Sequence, residues 1–378
     1  MPRHGRPDSP QLLPEKLSRL LADGVEKGIF PGVAVGIVSG PPSARSYWHG
    51  FYGQRQRVPE VLPLSADTSY DLASLSKPLA TTLAVLALYE EGRLSLDDTL
   101  PHLLGQDIPA DKKNINLRQL LSHSSGLAAH RPYYLELKDT EVTTRAAAMR
   151  RMILAEPLAA SPGATAIYSD LGFMLLGWIV AERSGMGLDR FVRERIYRPL
   201  ALADNLFFRP LDKPWPAGKT AAAGEECPWR GKVLVGEVGD DNTHVLGGVA
   251  GQAGLFGDLA AVVSLVVHLL DCWQERDTHP AFANRHLKTF LRKDERVPDS
   301  CWALGFDTPS PQGSSAGRHF HPASVGHLGF SGTSFWIDPS RDLVVVLLSN
   351  RVHPSRENGK IKAFRPLFHD LVADTLGV

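Results

Sequence analysis

Residues 70–78 read YDLASLSKP, and they open an apolar run that extends from Leu79 to Leu88. If a helix begins near Ser74, Lys77 lies one turn later on the same face, with its amine beside the Ser74 hydroxyl. A serine is a weak nucleophile until a neighbouring group takes its proton, which a buried amine with a lowered pKa can do. The free N–H groups at a helix N-terminus also suit a developing oxyanion. The stretch therefore predicts a core helix that begins with a serine nucleophile.

The residues around this motif indicate where the helix begins. Pro78 is tolerated in a first helical turn but not deep inside a helix, which places the start close to Ser74. A lysine at the head of a core helix is costly unless it is paired or used. The alternative is an ordinary helix start with Ser74 as the N-cap, because Ser-x-x-Lys occurs by chance in many chains.

The composition indicates a globular chain that is long enough for one big domain or two intimate subdomains. Its 378 residues are 43% hydrophobic and 22% charged, and 41 basic residues balance 41 acidic ones. This zero net charge gives no indication of a nucleic-acid partner or an anionic-membrane partner. Three cysteines are too few and too scattered for a disulfide framework or a thiolate metal site.

The N-terminal sequence bears on the location of the protein. Residues 1–8 are positively charged but are not followed by the apolar run of a secretory signal, which predicts a cytoplasmic chain. A trimmed start would leave the periplasm as the alternative. Residues 245–270 come nearest to a membrane span, but polar residues interrupt them, and no span is predicted.

Strands are predicted near both ends of the chain. Residues 33–38 and 45–52 favour one antiparallel pair, and residues 333–337 and 343–348 favour another. Strands at both ends with helices between them indicate an α+β fold rather than a regular β-α-β series. We expect one antiparallel sheet that is built from both chain termini and flanked by helices, with a mostly helical inserted subdomain.

Helical periodicity dominates the middle of the chain and recurs near both ends. Asp258 is a plausible N-cap for one of these helices. The clearest helices are expected at residues 17–27, 173–184, 188–197, 258–273 and 361–376.

The domain organisation follows from this pattern. Residues 1–14 are rich in Pro, Arg and Gly and are expected to be disordered. Residues 15–378 are expected to form one catalytic domain, with a cleft between its two parts. The α/β part spans about residues 15–75 and 245–378, and the helical part spans about residues 76–244.

A second candidate group is Tyr168-Ser169-Asp170, which precedes the helix expected at 173–184. A tyrosine in a turn beside a cleft can serve as a phenolate base or as a proton relay. The alternative is an aromatic side chain that packs at a helix entry, with Ser169 or Asp170 as the N-cap.

A third candidate group lies in residues 327–332, which read HLGFSG and precede the strand expected at 333–337. Glycines beside a strand let a ligand approach the backbone closely, and His327 could hydrogen-bond a substrate or shuttle a proton. The alternative is a glycine-rich turn with an exposed His327.

Three other histidines are weaker candidates for the functional site. His123, in the polar stretch 120–127, could form a Ser-His pair, although helix capping and support of the site wall fit it better. His319 and His321 could face the same side of a strand and bind a metal, but no third ligand is evident, and a metal is discounted.

Three short motifs stand in order along the chain: Ser74-x-x-Lys77, Tyr168-x-Asp170 and His327-x-Gly329. Together they resemble the serine β-lactamase and penicillin-binding protein superfamily. The resemblance is to its class C β-lactamase-like branch, which also holds D-stereospecific peptidases and esterases. The likeness extends over roughly residues 15–375, through similar stretches at 30–33, 72–77, 91–98, 120–127 and 246–256.

The resemblance implies the catalytic roles and the β-lactamase/transpeptidase-like fold. Ser74 would be the acylated nucleophile. Lys77 and Tyr168 would share the proton transfer, and the resemblance does not fix which of them is the base. The backbone N–H groups of Ser74 and Phe330 would form the oxyanion hole.

On the substrate side, the resemblance implies that Asp170, His327, Gly329 and Phe330 line the site, and two of these residues depart from the family pattern. The second motif usually ends in Asn, whereas an ionised Asp170 only accepts hydrogen bonds and would raise the pKa of a nearby Lys77. The third motif is His-Leu-Gly rather than Lys-Thr-Gly, and a neutral histidine holds a carboxylate less well than lysine. Both departures favour an esterase, an amidase or a D-amino-acid peptidase over an efficient penicillin-destroying enzyme.

The resemblance therefore implies a serine hydrolase that forms an acyl-enzyme on an ester, a D-amino-acid peptide or amide, or a β-lactam-like substrate. The expected partner is this small molecule, and no metal or organic cofactor is expected. One alternative is a catalytically weak sensor or scaffold that keeps the fold and binds cell-wall-like fragments. Another is a Ser-His hydrolase that uses His123.

Overall fold

The computed structural model describes residues 11–377, through which a seven-stranded sheet runs. The main sheet has the order β1-β3-β2-β13-β12-β11, with β4 beside β3. The strands are β1 (Gln11–Leu12), β2 (Gly32–Ser39), β3 (Ser46–Gln56), β4 (Leu62–Pro63), β5 (Thr68–Asp71), β6 (Leu206–Phe208), β7 (Thr220–Ala221), β8 (Ala223–Cys227), β9 (Lys232–Val235), β10 (Leu255–Gly257), β11 (Val325–Leu328), β12 (Ser334–Asp338) and β13 (Leu343–Ser349).

Helices precede, follow and separate these strands, and short 3₁₀ and π turns extend several of them. The α-helices are α1 (Glu15–Glu26), α2 (Leu83–Glu90), α3 (Leu100–Leu104), α4 (Leu117–Leu121), α5 (Tyr134–Leu137), α6 (Val142–Ala155), α7 (Asp170–Ser184), α8 (Leu188–Val192), α9 (Asp241–Val245), α10 (Leu259–Trp273), α11 (Asn284–Leu291) and α12 (Ile361–Leu376).

The pairing of β2 with β13 joins the two ends of the chain. Val33 lies opposite Ser349 and Ser39 lies opposite Leu343 in an antiparallel register. This pairing confirms the predicted α+β fold with a sheet built from both chain termini. The short strand β1 is the exception in the main sheet, since it pairs with β3 in parallel.

The sheet is buried on both faces because successive side chains of a strand alternate between two hydrophobic cores. In β13, Val344 and Val346 belong to one core, and Val345 and Leu347 belong to the other. Helices α1 and α12 cover the second core, and α10 lies against the first. Each such side chain contributes roughly 1.5–3 kcal/mol on burial, which explains the nearly continuous apolar sequence of β13.

The predicted long helices are confirmed with small shifts at their ends. Helices α1, α7, α10 and α12 correspond to four of the predicted ranges. Asp258 is the N-cap of α10, and its Oδ1 accepts a hydrogen bond from the Ala261 N–H at 2.8 Å. The fifth range divides into α8 and a π turn over Arg193–Tyr197.

Part of the segment that was predicted to be disordered is ordered. Residues 1–10 lie outside the described residues, but Gln11–Leu12 forms β1, and Leu13 is buried in the core beside Leu17. The prediction averaged the composition over residues 1–14 and so overlooked Leu13, an apolar anchor. The proposed boundary between an α/β part and a helical part remains a prediction.

Among residues 11–377, no helix combines the length and the apolar composition that crossing a lipid bilayer requires.

Candidate active site

Ser74 lies in a strained turn between β5 and the helical segment that carries Lys77. The preceding residue, Ala73, has a φ of +48°, in the left-handed region that residues other than glycine rarely adopt. Asp71 holds this turn, because its Oδ1 accepts from the Ala73 N–H (2.9 Å) and its Oδ2 from the Gly239 N–H (2.7 Å). Such strain, roughly 1–2 kcal/mol, persists only where its surroundings hold it, as active sites often do.

The helical segment after Ser74 is irregular at its start. Ala73–Leu75 is a 3₁₀ turn, Lys77–Thr82 is a π turn, and α2 begins only at Leu83. The sequence predicted one continuous helix here. The regular helix is interrupted because Pro78 has no N–H to donate to the helical hydrogen-bond pattern. When π turns occur within helices, they are often found at functional sites. Ser74 is nevertheless paired as predicted, since its Oγ accepts a hydrogen bond from Lys77 Nζ at 3.0 Å.

Lys77 is fully buried, and its ammonium group is surrounded by acceptors. Besides Ser74, Nζ donates to the Gln252 carbonyl oxygen at 3.2 Å. Asp170 Oδ1 lies 2.7 Å from Nζ and forms an ion pair with it. Burial alone lowers the pKa of an amine, but Asp170 and Tyr168 oppose it, and the pKa of Lys77 is raised. Lys77 is therefore an ammonium ion in the resting site.

Asp170 is the first residue of α7, where the helix dipole favours a negative charge. Its neighbour Ser169 is the N-cap, as one of the two predicted options had it, and donates its hydroxyl hydrogen to the Ala128 carbonyl at 2.7 Å. Burial acts to raise the pKa of Asp170, but Lys77 and a hydrogen bond from His130 hold it far below its ordinary value. The sequence did not fix whether Asp170 lies close to Lys77. The structure places the two side chains in contact, and Asp170 is ionised.

The Tyr168 phenol completes the group around Ser74. Lys77 Nζ lies 4.9 Å from the centre of the Tyr168 ring. Burial raises the pKa of Tyr168, although Lys77 and hydrogen bonding with Lys77 and Ser74 act in the opposite direction. The phenol is therefore neutral at rest. Its ring stacks on that of Trp302, with 5.4 Å between the ring centres.

His327 lies at the edge of this group and carries no charge. Its Nδ1 donates to the Leu328 carbonyl at 2.9 Å, which leaves Nε2 as an acceptor. Burial, with a smaller effect from Lys77, lowers the pKa of His327 to about 3. Nε2 has no hydrogen-bond partner within residues 11–377. The exposed alternative is wrong, and a buried neutral His327 can accept a hydrogen bond but cannot hold a carboxylate by charge.

The turn after β11 is fastened to the residues that lead into Ser74. The Ser331 hydroxyl donates to the Asp71 carbonyl at 2.7 Å, and the Thr333 hydroxyl donates to the Leu72 carbonyl at 3.2 Å. A Cβ on Gly329 would lie 2.8 Å from the Leu72 oxygen, so that only glycine permits this approach. The two chain segments therefore form one rigid unit.

The amides of this turn differ in their availability. The Gly329 N–H donates to the Thr333 carbonyl at 2.7 Å, so Gly329 serves close packing rather than an oxyanion. The Phe330 N–H, like that of Ser74, has no acceptor in the described part of the chain. Phe330 is 57% exposed, and the Arg351 guanidinium lies 4.4 Å from the centre of its ring. The Phe330 amide is therefore free to bind a ligand.

Comparison with known proteins identifies the group to which this site belongs. The sequence profile of the Beta-lactamase family matches residues 17–366. The chain belongs to this family. A curated relative from Escherichia coli O157:H7, which bears the provisional name D-alanyl-D-alanine carboxypeptidase, is 31% identical over 367 residues, or 89% of this chain and 82% of the relative. Membership of the Beta-lactamase family makes the chain a serine hydrolase.

Two solved structures share the fold of this family member. The octameric penicillin-binding protein homologue from Pyrococcus abyssi is 20% identical with a TM-score of 0.69, over 96% of this chain and 77% of that one. EstCE1, a hydrolase with promiscuous acyltransferase activity, is 21% identical with a TM-score of 0.69, over 93% of this chain and 98% of that one. At these identities the likeness shows the fold alone.

Some neighbours of the site were not singled out from the sequence. The Gln252 carbonyl lay in a glycine-rich stretch that only the family resemblance drew attention to, and a backbone carbonyl has no sequence signature. His130, whose Nδ1 lies 3.5 Å from Asp170 Oδ2, and Trp302 lie in loops with no motif. Their roles depend on contacts between distant segments.

His123 packs behind the site rather than against Ser74. Its Nδ1 accepts the Ser169 N–H at 3.0 Å, and its ring centre lies 4.7 Å from that of Tyr168. Burial lowers the pKa of His123 well below its ordinary value. No hydrogen bond joins it to Ser74 in residues 11–377, so the geometry gives the Ser-His alternative no support.

Glu225, Cys227 and Asp241 offer ligand atoms close enough to one another for a metal ion. Arg356 pairs with both carboxylates, and Arg230 donates to Asp241 at 2.7 Å. Because these arginines already neutralise the acidic groups, the cluster is suited to a salt-bridge network rather than to a cation.

Removing the Ser331 hydroxyl is expected to lower kcat clearly while it lowers the free energy of unfolding only slightly. Ser331→Ala removes one neutral hydrogen bond, worth about 1 kcal/mol of unfolding free energy. We expect kcat to fall about tenfold because a small displacement of the Phe330 amide misaligns it with Ser74. Urea unfolding and turnover of p-nitrophenyl acetate measure the two effects, with the exposed Ser43→Ala as control. A normal kcat alongside reduced stability would restrict Ser331 to a structural role.

Proposed function

We propose that the chain hydrolyses esters or D-amino-acid peptides and amides through an acyl-enzyme on Ser74, with β-lactams as poor substrates. The observation that carries the proposal is the 3.0 Å contact of Ser74 Oγ with the buried Lys77 ammonium, beside the Tyr168 phenol. A serine with a proton carrier in contact, here in a turn that Ala73 strains, is an arrangement suited to nucleophilic catalysis. The curated relative that is named for D-alanyl-D-alanine carboxypeptidase activity supports peptide substrates.

In the proposed reaction, Ser74 Oγ attacks the substrate carbonyl, and its proton passes to the neutral Lys77 amine, either directly or through Tyr168, whose phenol takes the Ser74 proton as it gives its own proton to Lys77. The Ser74 and Phe330 amides donate to the oxyanion of the tetrahedral intermediate, at roughly 3–4 kcal/mol for each donor in other hydrolases. The proton then passes to the leaving group, and water later attacks the acyl-enzyme to release the acid and regenerate Ser74. Because Lys77 is an ammonium ion at rest, the reactive form is a minor one in which Lys77 has lost a proton.

The charge of the site supports the choice of substrate. A neutral His327 occupies the motif position at which the family pattern has a lysine that binds the substrate carboxylate. A neutral acceptor favours a substrate that offers a hydrogen-bond donor, such as an amide N–H, over one that depends on an ion pair. Efficient penicillin hydrolysis is therefore disfavoured.

The pH dependence of kcat/KM is expected to respond to Asp170. Asp170 favours the ammonium form of Lys77, so Asp170→Asn lowers the pKa of Lys77 and moves the rising limb of kcat/KM to lower pH by about one unit. Rates on p-nitrophenyl acetate between about pH 5 and pH 10 measure the shift. Asp139→Asn, at an exposed carboxylate, is the control. A limb that stays in place or moves upward contradicts the assignment of Lys77.

The general proposal is tested with a fluorophosphonate probe and intact-protein mass spectrometry. We expect one covalent adduct, which peptide mapping places on Ser74, and we expect turnover within a panel of p-nitrophenyl esters, D-alanyl peptides and nitrocefin. Absence of both adduct and turnover would favour the scaffold alternative.

Location and partners belong to the proposal as well. The cytoplasmic location stays a prediction from the N-terminal sequence, with the periplasm as the alternative. The expectation that nucleic acids are not partners also stays a prediction.

A further inference from the structure

The carboxylate of Asp170 lies between two basic groups, one buried and one partly exposed to solvent. Its Oδ1 lies 2.7 Å from the Lys77 ammonium, whose side chain is 0% exposed. Its Oδ2 lies 3.5 Å from Nδ1 of His130, whose side chain is 48% exposed. One buried cation and one imidazole in contact with solvent therefore compete for the same negative charge.

The backbone on both sides of His130 is held in place. The Asp170 N–H donates to the Ala129 carbonyl at 2.8 Å, next to the Ser169–Ala128 hydrogen bond already described. On the other side, the Asn242 side chain donates to the Arg131 carbonyl at 2.8 Å. These hydrogen bonds hold the backbone on both sides of His130 and so keep this residue beside Asp170.

The charges that face His130 are mostly negative. The hydrogen bond with Asp170, and the charges of Asp170, Asp240 and Asp241, outweigh burial and raise the pKa of His130. The neighbouring cation in the chain, Arg131, is engaged with Glu156 at 2.7 Å and with the His130 carbonyl at 3.0 Å. The surroundings of His130 therefore favour its protonated form.

The charges that face Lys77 are few. Asp170 is the carboxylate in contact with it, and Tyr168 is a neutral phenol. His123 and His327 contribute no charge near neutrality, since burial lowers the pKa of both. A change of charge at His130 therefore reaches Lys77 chiefly through Asp170.

We propose that protonated His130 draws the negative charge of Asp170 away from Lys77 and so eases the loss of the Lys77 proton. This proposal rests on the proposed function, in which Lys77 is deprotonated before Ser74 reacts. When His130 is neutral, Asp170 acts on Lys77 alone and holds the ammonium more tightly. His130 is thus a positioning residue that sustains the reactive form on the acid side of neutrality.

The test compares pH profiles of kcat/KM on p-nitrophenyl acetate. In His130→Gln, which keeps a polar side chain without charge, the ratio of the rate at about pH 9 to that at about pH 5.5 rises about tenfold. His130→Lys, which stays charged, lowers that ratio. In an Asp170→Asn background neither change at residue 130 alters the ratio, because an amide carries no charge to share. Equal effects at both pH values, or the same effect in the Asp170→Asn background, would overturn the proposal.

A second measurement needs no catalysis. NMR titration of the histidine ring protons in the Ser74→Ala protein, with His130→Gln used for assignment, gives the pKa of His130. We expect this pKa to fall when Asp170→Asn is added, and an unmoved pKa sinks the proposal. Retained turnover in Ser74→Ala would instead reject the proposed function, so the two failures are distinguishable.

Discussion

Replacing Ser74 with alanine is expected to reduce kcat by about 10⁴-fold or more on ester and D-alanyl peptide substrates. The residual rate is that which oxyanion stabilisation and substrate binding sustain without a nucleophile. The loss arises because Lys77 and Tyr168 can carry a proton but have no oxygen to activate. Turnover of a p-nitrophenyl ester measures the loss of rate, and intact mass after the fluorophosphonate probe shows whether the adduct disappears.

The control for this result is Ser43→Ala, an exposed serine in the turn before β3. It tests the effect of losing a hydroxyl outside the site. An adduct that persists in Ser74→Ala would place the nucleophile elsewhere. The buried serines beside His123, namely Ser122, Ser124 and Ser125, would then be the next candidates.

Lys77→Met is expected to lower both activity and stability. The variant removes the proton carrier in contact with Ser74, which we expect to reduce kcat about 10³-fold. It also takes the buried cation from Asp170 and leaves the half-exposed His130 beside it, so we expect a loss of up to about 3–5 kcal/mol of unfolding free energy, the cost of breaking a buried pair. Turnover and denaturant unfolding measure the two losses separately.

The double variant Lys77→Met with Asp170→Asn separates these effects. Because the amide of Asn needs no cation, we expect the double variant to recover most of the lost stability. Its kcat should stay as low as that of Lys77→Met, since no group has replaced the amine. A double variant that regains activity along with stability would show that Lys77 serves only to neutralise Asp170.

The features that could be predicted from the sequence depend on residues close together in the chain. The spacing of Ser74 and Lys77 fixes their contact within one helical turn, and the family pattern added Tyr168. Helix α12 was predicted with its observed bounds from its apolar periodicity, although Pro366 lies inside it. The π turn over Lys77–Thr82 was not predictable, since periodicity alone does not distinguish it from an α-helix.

What could not be predicted depends on segments far apart in the chain. The carbonyl that binds Lys77 comes from Gln252, 175 positions away, and the hydroxyl that binds the Asp71 carbonyl comes from Ser331, 260 positions away. The charge state of His327 likewise follows from burial, which sequence reasoning did not fix. Asp170 was the most informative of the predicted residues, because its chemistry differed from the family pattern before its contacts were known.

The central pairing of β2 with β13 has a consequence for synthesis on the ribosome. Translation produces β2 long before β13, so the middle of the sheet cannot close until the residues between these two strands have been synthesised. The turn that offers the Phe330 amide precedes β12, and its register depends on that late strand. Ser74 is therefore synthesised long before the strand on which the Phe330 turn depends, and we expect it to become reactive only after β13 has paired with β2 and β12.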